Sequence, residues 1–337
     1  MMKQKAGWFI LLSILLCSSM AVADSSSTLS ITGVVKQPLN LTIDDLNNYQ
    51  SIEVQLNEVL QDGEFRGVFN CRGVPLRTLL EIACIQKGKT DFSKPVDLVI
   101  LVRNKQGEQI ALSWGEVFYR NPGRIIVAVS AVPIMPHKDC TTCHSPDVYK
   151  SRLDQLQRKI IFPKLVITTD SHSDRSLEEI TSIEVLDLRP EIPAKRPDRL
   201  FSPEFTITGL VGQTVIIKDL SSYPRKETMV KHLGEGKGYH GIDRFAGAPF
   251  KTILDEAGIT PDLNKVFLVS APDGYRALFS YGEIFLDPAG ERMIIADRIN
   301  DRPIEKGGRF FLVPPDDLMS DRDVKAVENI EVISLQH

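Results

Sequence analysis

Apolar and polar positions alternate through Leu29–Val35, and again through Phe205–Val211, which predicts a strand at each. After Pro75, the residues Leu76, Leu79, Leu80 and Ala83 fall on one face of a helix. After Pro249, Phe250, Ile253, Leu254 and Ala257 repeat that face. Both prolines suit the first helical position. Gly258 offers a left-handed helix end in the later stretch, where the earlier one has Cys84. Apolar runs at Leu98–Arg103 and Gln109–Leu112 predict a hairpin turning at Gln106-Gly107, and Asp273-Gly274 marks its later counterpart. Thr42 with Asp45 opens a short helix, and Ser113…Glu116 and Ser280…Glu283 read as capping boxes. Closing strands are expected at Leu165–Thr168 with Ile183–Leu188, and at Phe311–Val313 with Ile330–Leu335. Short strands and helices without βαβ regularity argue an α+β fold.

These parallels reflect a duplication. Ile31-Thr-Gly33 returns as Ile207-Thr-Gly209, and Gly73-Val-Pro75 with its helix returns as Gly247-Ala-Pro249. Ser113-Trp-Gly-Glu-Val-Phe118 returns as Ser280-Tyr-Gly-Glu-Ile-Phe285. Ser173-Asp-Arg175 returns as Ser320-Asp-Arg322, and Ile183-Glu-Val185 as Ile330-Glu-Val332. The first copy carries about 20 more residues between Phe118 and Ser173, an insert at about 134–162. Prolines 190, 193, 197 and 203 make 189–203 an extended, semi-rigid linker. The domains are therefore expected at 28–188 and 204–335.

Composition changes the picture at the amino end. Lys3 and Lys5, an apolar run from Trp8 to Cys17 and the small residues before Asp24 read as a signal peptide over 1–23. No later stretch is apolar enough to span a bilayer, so a soluble, exported and periplasmic protein without stable membrane insertion is expected. The formal charge of −4 becomes more negative once Lys3 and Lys5 are lost, which argues against a nucleic-acid partner. At 42% hydrophobic residues, two ordinary cores are affordable.

The insert carries the chemistry. Cys140-Thr-Thr-Cys-His144 is the c-type haem attachment pattern: Cys140 and Cys143 would bond the haem edge, and His144 would face the iron as proximal ligand. A redox dithiol and a Cys140–Cys143 disulfide compete with that reading. Zinc is a weaker competitor, because no second Cys/His pair has matching spacing. For the distal ligand, Met135 ranks before His137, and His172 follows.

The order of strand, short helix, Gly-x-Pro helix, Asp-Gly-Tyr hairpin, Ser-x-Gly-Glu helix and closing strands resembles the molybdopterin-binding domain of the sulfite oxidase family. The resemblance spans both copies, and is better in the second through Asp273-Gly-Tyr275 and Gly247-Ala-Pro249. It implies two tandem sulfite-oxidase-like domains, and in members that do chemistry a molybdenum bound by one cysteine well before the Gly-x-Pro turn. Neither copy has that cysteine in register. Cys71, two residues before Gly73, is the one conceivable ligand, and a buried apolar thiol is the plainer account of it. Cys84 sits at a helix end, beyond disulfide reach of Cys71.

Among other candidates, His232, Tyr239, His240 and Arg244 gather before the second Gly-x-Pro turn, where a solvated loop is the plainer account of them. Capping explains Glu116 and Glu283 without invoking a general acid. Arg152, Arg158 and Lys159 would suit an acidic partner or a solvated helix. Three functions remain in competition: an exported electron-transfer protein with haem c and a periplasmic redox partner, a molybdopterin-type oxidoreductase with its own haem, and a binding module whose cysteine pair is a disulfide.

Overall fold

In a computed structural model, residues 28–120, 122–134, 158–195, 200–234 and 238–336 are described. The leader, the haem motif with Met135 and His137, and Arg152 lie outside them.

Strand outweighs helix among the described residues, and the strands form four small sheets. In the first half, one sheet orders β2 (Leu39–Leu41), β1 (Leu29–Gly33), β9 (Ile180–Leu186), β5 (Val99–Asn104) and β6 (Gln109–Ser113). A second orders β3 (Ile52–Val59), β4 (Phe65–Pro75), β7 (Ile125–Pro133) and β8 (Lys164–Ile167). The later half repeats the first pattern as β11 (Val215–Ile217), β10 (Phe205–Gly209), β19 (Asn329–Ser334), β14 (Lys265–Ser270) and β15 (Arg276–Ser280). Its second sheet joins β12 (Lys226–Gly234), β13 (Gly238–Pro249), β16 (Ile294–Ile299) and β17 (Arg302–Pro303), with β18 (Phe311–Val313) also on β16. In each half the opening strand pairs parallel with the closing one: Ile31 with Ile183, Ile207 with Ile330.

The expected α+β, sulfite-oxidase-like architecture is therefore corrected to a strand-dominated one. Helical periodicity misled because each helical stretch is only one or two turns long: α1 (Ile43–Asn47), α2 (Leu76–Ala83), α3 (Trp114–Phe118), α4 (Phe250–Glu256) and α5 (Tyr281–Phe285). Two long hairpins, β3–β4 and β12–β13, were not anticipated. Their signal was present as the period-two run Ile52-Glu-Val-Gln-Leu-Asn-Glu-Val59.

Where helices form, the residues explain them. Leu76, Leu79, Leu80 and Ala83 are all buried beneath α2. Pro75 and Pro249 are the residues just before the helices, not their first turns. Cys84 ends α2 in the left-handed conformation at φ 56°. Gly73 and Gly247 have a different reason: a Cβ there would stand about 2 Å from the Val127 or Ile295 carbonyl oxygen, so only glycine permits the close strand approach.

Apolar layers join the sheets. Val127, Leu165, Ile100 and Val102 fill the space within the first half, and Phe250, Phe267, Phe279 and Ile295 that within the second. Between the halves, Val99, Leu101 and Ala111 meet Val266, Leu268 and Leu278. Among the backbone bonds that cross this junction, two form a matched pair. Leu318 N–H donates to the Tyr119 carbonyl, and Ser171 N–H to that of Leu286, both at 2.9 Å.

Candidate functional site

In chain order the cysteine-bearing insert falls between β7 and β8. At its start, Ile134 N–H donates to the Val68 carbonyl at 2.8 Å. At its end, Arg158 donates to both Glu58 carboxylate oxygens at 2.7 Å and lies 2.6 Å from Glu178. The fully buried Lys164 donates to the same two carboxylates, at 2.6 and 3.1 Å. These cations neutralise Glu58, which would otherwise be a costly buried charge. Arg158 is thus committed within the chain, while its neighbour Lys159 is exposed.

Cys71 lies under this base, fully buried among Leu56, Phe69, Ile126 and Val166. Burial pushes its thiol up to about 11, with Lys164 opposing and Glu58 adding. A metal-binding cysteine needs the thiolate, so this setting suits an apolar side chain and not a ligand. Cys84 is exposed and, like Cys71, a free thiol. His172 lines a small cleft of about 380 Å³ with Gln61, Lys251, Asp287 and Glu291. Among the described residues no group of three or more His, Cys, Asp or Glu is placed to hold a metal ion. Nor is any helix there long and apolar enough to cross a membrane.

A larger cleft, of about 760 Å³, opens where the β12–β13 hairpin meets the Asp273-Gly-Tyr275 turn and the Ser320-Asp-Arg segment. It takes two members of the predicted cluster, His232 and His240. Tyr239, 63% exposed, and Arg244, paired with Asp301, are left outside. His232 Nε2 is 3.0 Å from an Asp243 oxygen, and its ring meets Phe245 edge-on. Lys94 crosses from the first half to pair with Asp321, and its ammonium lies over the Tyr275 ring. The Tyr275 hydroxyl donates to the Asp321 carbonyl at 2.6 Å. Burial, then the nearby Asp317, push Asp323 well above the usual carboxylate range. The sequence reading missed Lys94, Asp321, Asp323 and Lys325 because no local pattern marks them. The repeated Ser-Asp-Arg block was the one available hint.

That block has a second role. Arg175 donates to both Asp170 oxygens at 2.7 Å, to Glu116 at 3.0 Å and, across the junction, to Ser280 Oγ at 3.4 Å. Arg322 mirrors it with Asp317 at 2.7 and 2.8 Å, Glu283 at 2.9 Å and Ser113 Oγ at 3.1 Å. Both capping boxes form, so Glu116 and Glu283 cap α3 and α5 while also holding these arginines.

No family model matches this chain, and no curated protein matches it. Among solved structures, the sulfane dehydrogenase SoxCD from Paracoccus pantotrophus is similar at 12% identity and a TM-score of 0.33, over 92% of this chain and 78% of that one. A likeness at that level identifies neither fold nor activity.

Proposed function

We propose that this chain is an exported electron-transfer protein carrying one covalent haem c on the β7–β8 connection and exchanging electrons with a periplasmic partner protein. The observation that carries the reading is Cys140-Thr-Thr-Cys-His144. Cys140 and Cys143 would hold the haem and His144 its iron, with Met135 or His137 as the distal candidate; the group would supply one-electron chemistry. Support comes from the base of the connection, where Ile134 N–H holds its start to Val68 and the Arg158, Lys164, Glu58 and Glu178 cluster holds its end. The buried, high-pKa thiol of Cys71 weighs against the molybdenum-enzyme reading.

The 760 Å³ cleft favours a second reading, a binding module whose Cys140–Cys143 pair is a disulfide. One experiment separates the two. The full chain is expressed in a host that attaches haem c, and its visible spectrum and intact mass are recorded. A haem spectrum and a mass increased by one haem are expected, both lost in Cys140→Ser and Cys143→Ser. A colourless protein with the mass of the bare processed chain overturns the haem reading.

A further inference from the structure

The junction between the halves holds more buried carboxylates than buried cations. Glu116 on α3 faces Arg175 and Asp170 from the β8–β9 connection, and Ser280 and Glu283 from the other half. Around these stand Arg322 with Asp317, and Arg120 with Asp287 at 3.4 Å. Asp323 adds a further acid beside Asp317. Leaving Asp323 aside, five carboxylates (Glu116, Glu283, Asp170, Asp317, Asp287) share three guanidiniums (Arg120, Arg175, Arg322), and all eight side chains are buried. Arg120 brings two nitrogens, Nε and Nη1, that have no hydrogen-bond partner among the described residues. Ser280 bridges the two central acids: its N–H donates to Glu283 and its hydroxyl to Glu116, each at 2.9 Å. Such a net negative cluster in a dry interface is relieved by a proton.

We propose that the contact between the halves is proton-linked: Glu116, at its centre beside Glu283, takes up one proton as the pH falls from above neutral, and the junction tightens when it does. The geometry makes the proton useful, since a neutral Glu116 still accepts from Ser113 N–H and Ser280 Oγ while the repulsion from Glu283 and Asp170 ends. Burial first, then Glu283 and Asp170, push the Glu116 carboxyl up to about 7 against the pull of Arg175. An acid raised on folding contributes stability that is complete below its unfolded value, near 4.5, and lost as the pH rises through about 7. This does not depend on haem attachment.

The test is denaturant unfolding of the full chain across this window, in wild type, Glu116→Gln and Glu283→Gln. The wild-type unfolding constant is expected to rise by about tenfold per pH unit between about pH 5 and 7, as for one linked proton. One or both variants should flatten that dependence. Because Asp287, Asp317 and Asp323 are also raised, the difference between wild type and variants is the deciding quantity. The same slope in all three proteins overturns the proposal. Should neither variant fold, carboxyl NMR of wild type labelled only in glutamate decides. One glutamate titrating near neutrality supports the proposal, and none doing so overturns it.

Discussion

Arg175 and Arg322 are stripped of water, and each is held by two carboxylates. Such a charge is tolerable only while its partners remain, because the uncompensated member of a buried pair bears the full desolvation cost. Arg175→Ala should therefore lower stability by about 3–5 kcal/mol in denaturant unfolding, leaving Asp170 and Glu116 unpaired. Arg175→Lys should recover only part, since an ammonium cannot make the fork on Asp170. The opposing glycine is equally constrained. A Cβ on Gly282 would stand 2.0 Å from Arg175 Cζ, and one on Gly115 2.2 Å from Arg322 Nε. Gly282→Ala should cost about 1–3 kcal/mol by overpacking, read as a lowered denaturant midpoint. The two free thiols among the described residues differ in exposure, and Cys84, at the surface, should alkylate readily in the native protein. Cys71, buried and pushed up to about 11, should react only on unfolding, as intact-mass labelling would show.

At the scale of elements, α3 and α5 are too short to persist alone, and their caps serve two purposes. Each serine begins its helix and also receives an arginine from the opposite half. Ser113→Ala should therefore cost more than the roughly 1 kcal/mol of an ordinary cap, because Arg322 loses an acceptor as well. A double-mutant cycle with Arg322 would measure the excess. The β7–β8 connection behaves differently. Its ends are fastened by Ile134 and Arg158, and the later half joins β16 to β18 over a much shorter span. Closing a surface loop costs little that depends on its length. Deletion of 138–157 should thus leave a folded chain with a circular-dichroism spectrum near wild type and no haem. Loss of cooperative melting would show that the connection also stabilises its sheet.

Across the whole molecule, two matched β units meet through an apolar seam bordered by the crossed arginine clusters. A third long-range arginine secures the stretch between them. Arg276, itself buried, donates to Asp97 at 2.8 Å and to the Arg189 and Pro190 carbonyls at 2.9 and 3.1 Å. Much of this was legible in the sequence: all three capping boxes, the buried face of α2 and the β5–β6 hairpin follow from periodicity and turn chemistry over ten residues or fewer, and the duplication from blocks that recur in the same order. The balance of strand over helix was not legible. β3 does alternate with period two, but the burial that organises β3 and β12 comes from strands distant in sequence. The sequence by itself determined which residues recur, where short helices start, and a cysteine–histidine spacing suited to haem. Tertiary structure alone decided that Arg322 reaches Ser113, 209 positions away, that Lys94 reaches Asp321 across 227, and that His232 and His240 share a cleft which Arg244 does not enter. The physical reason is that an ion pair or a cleft depends on distance in space, whereas periodicity reports only which side of its own element a residue occupies.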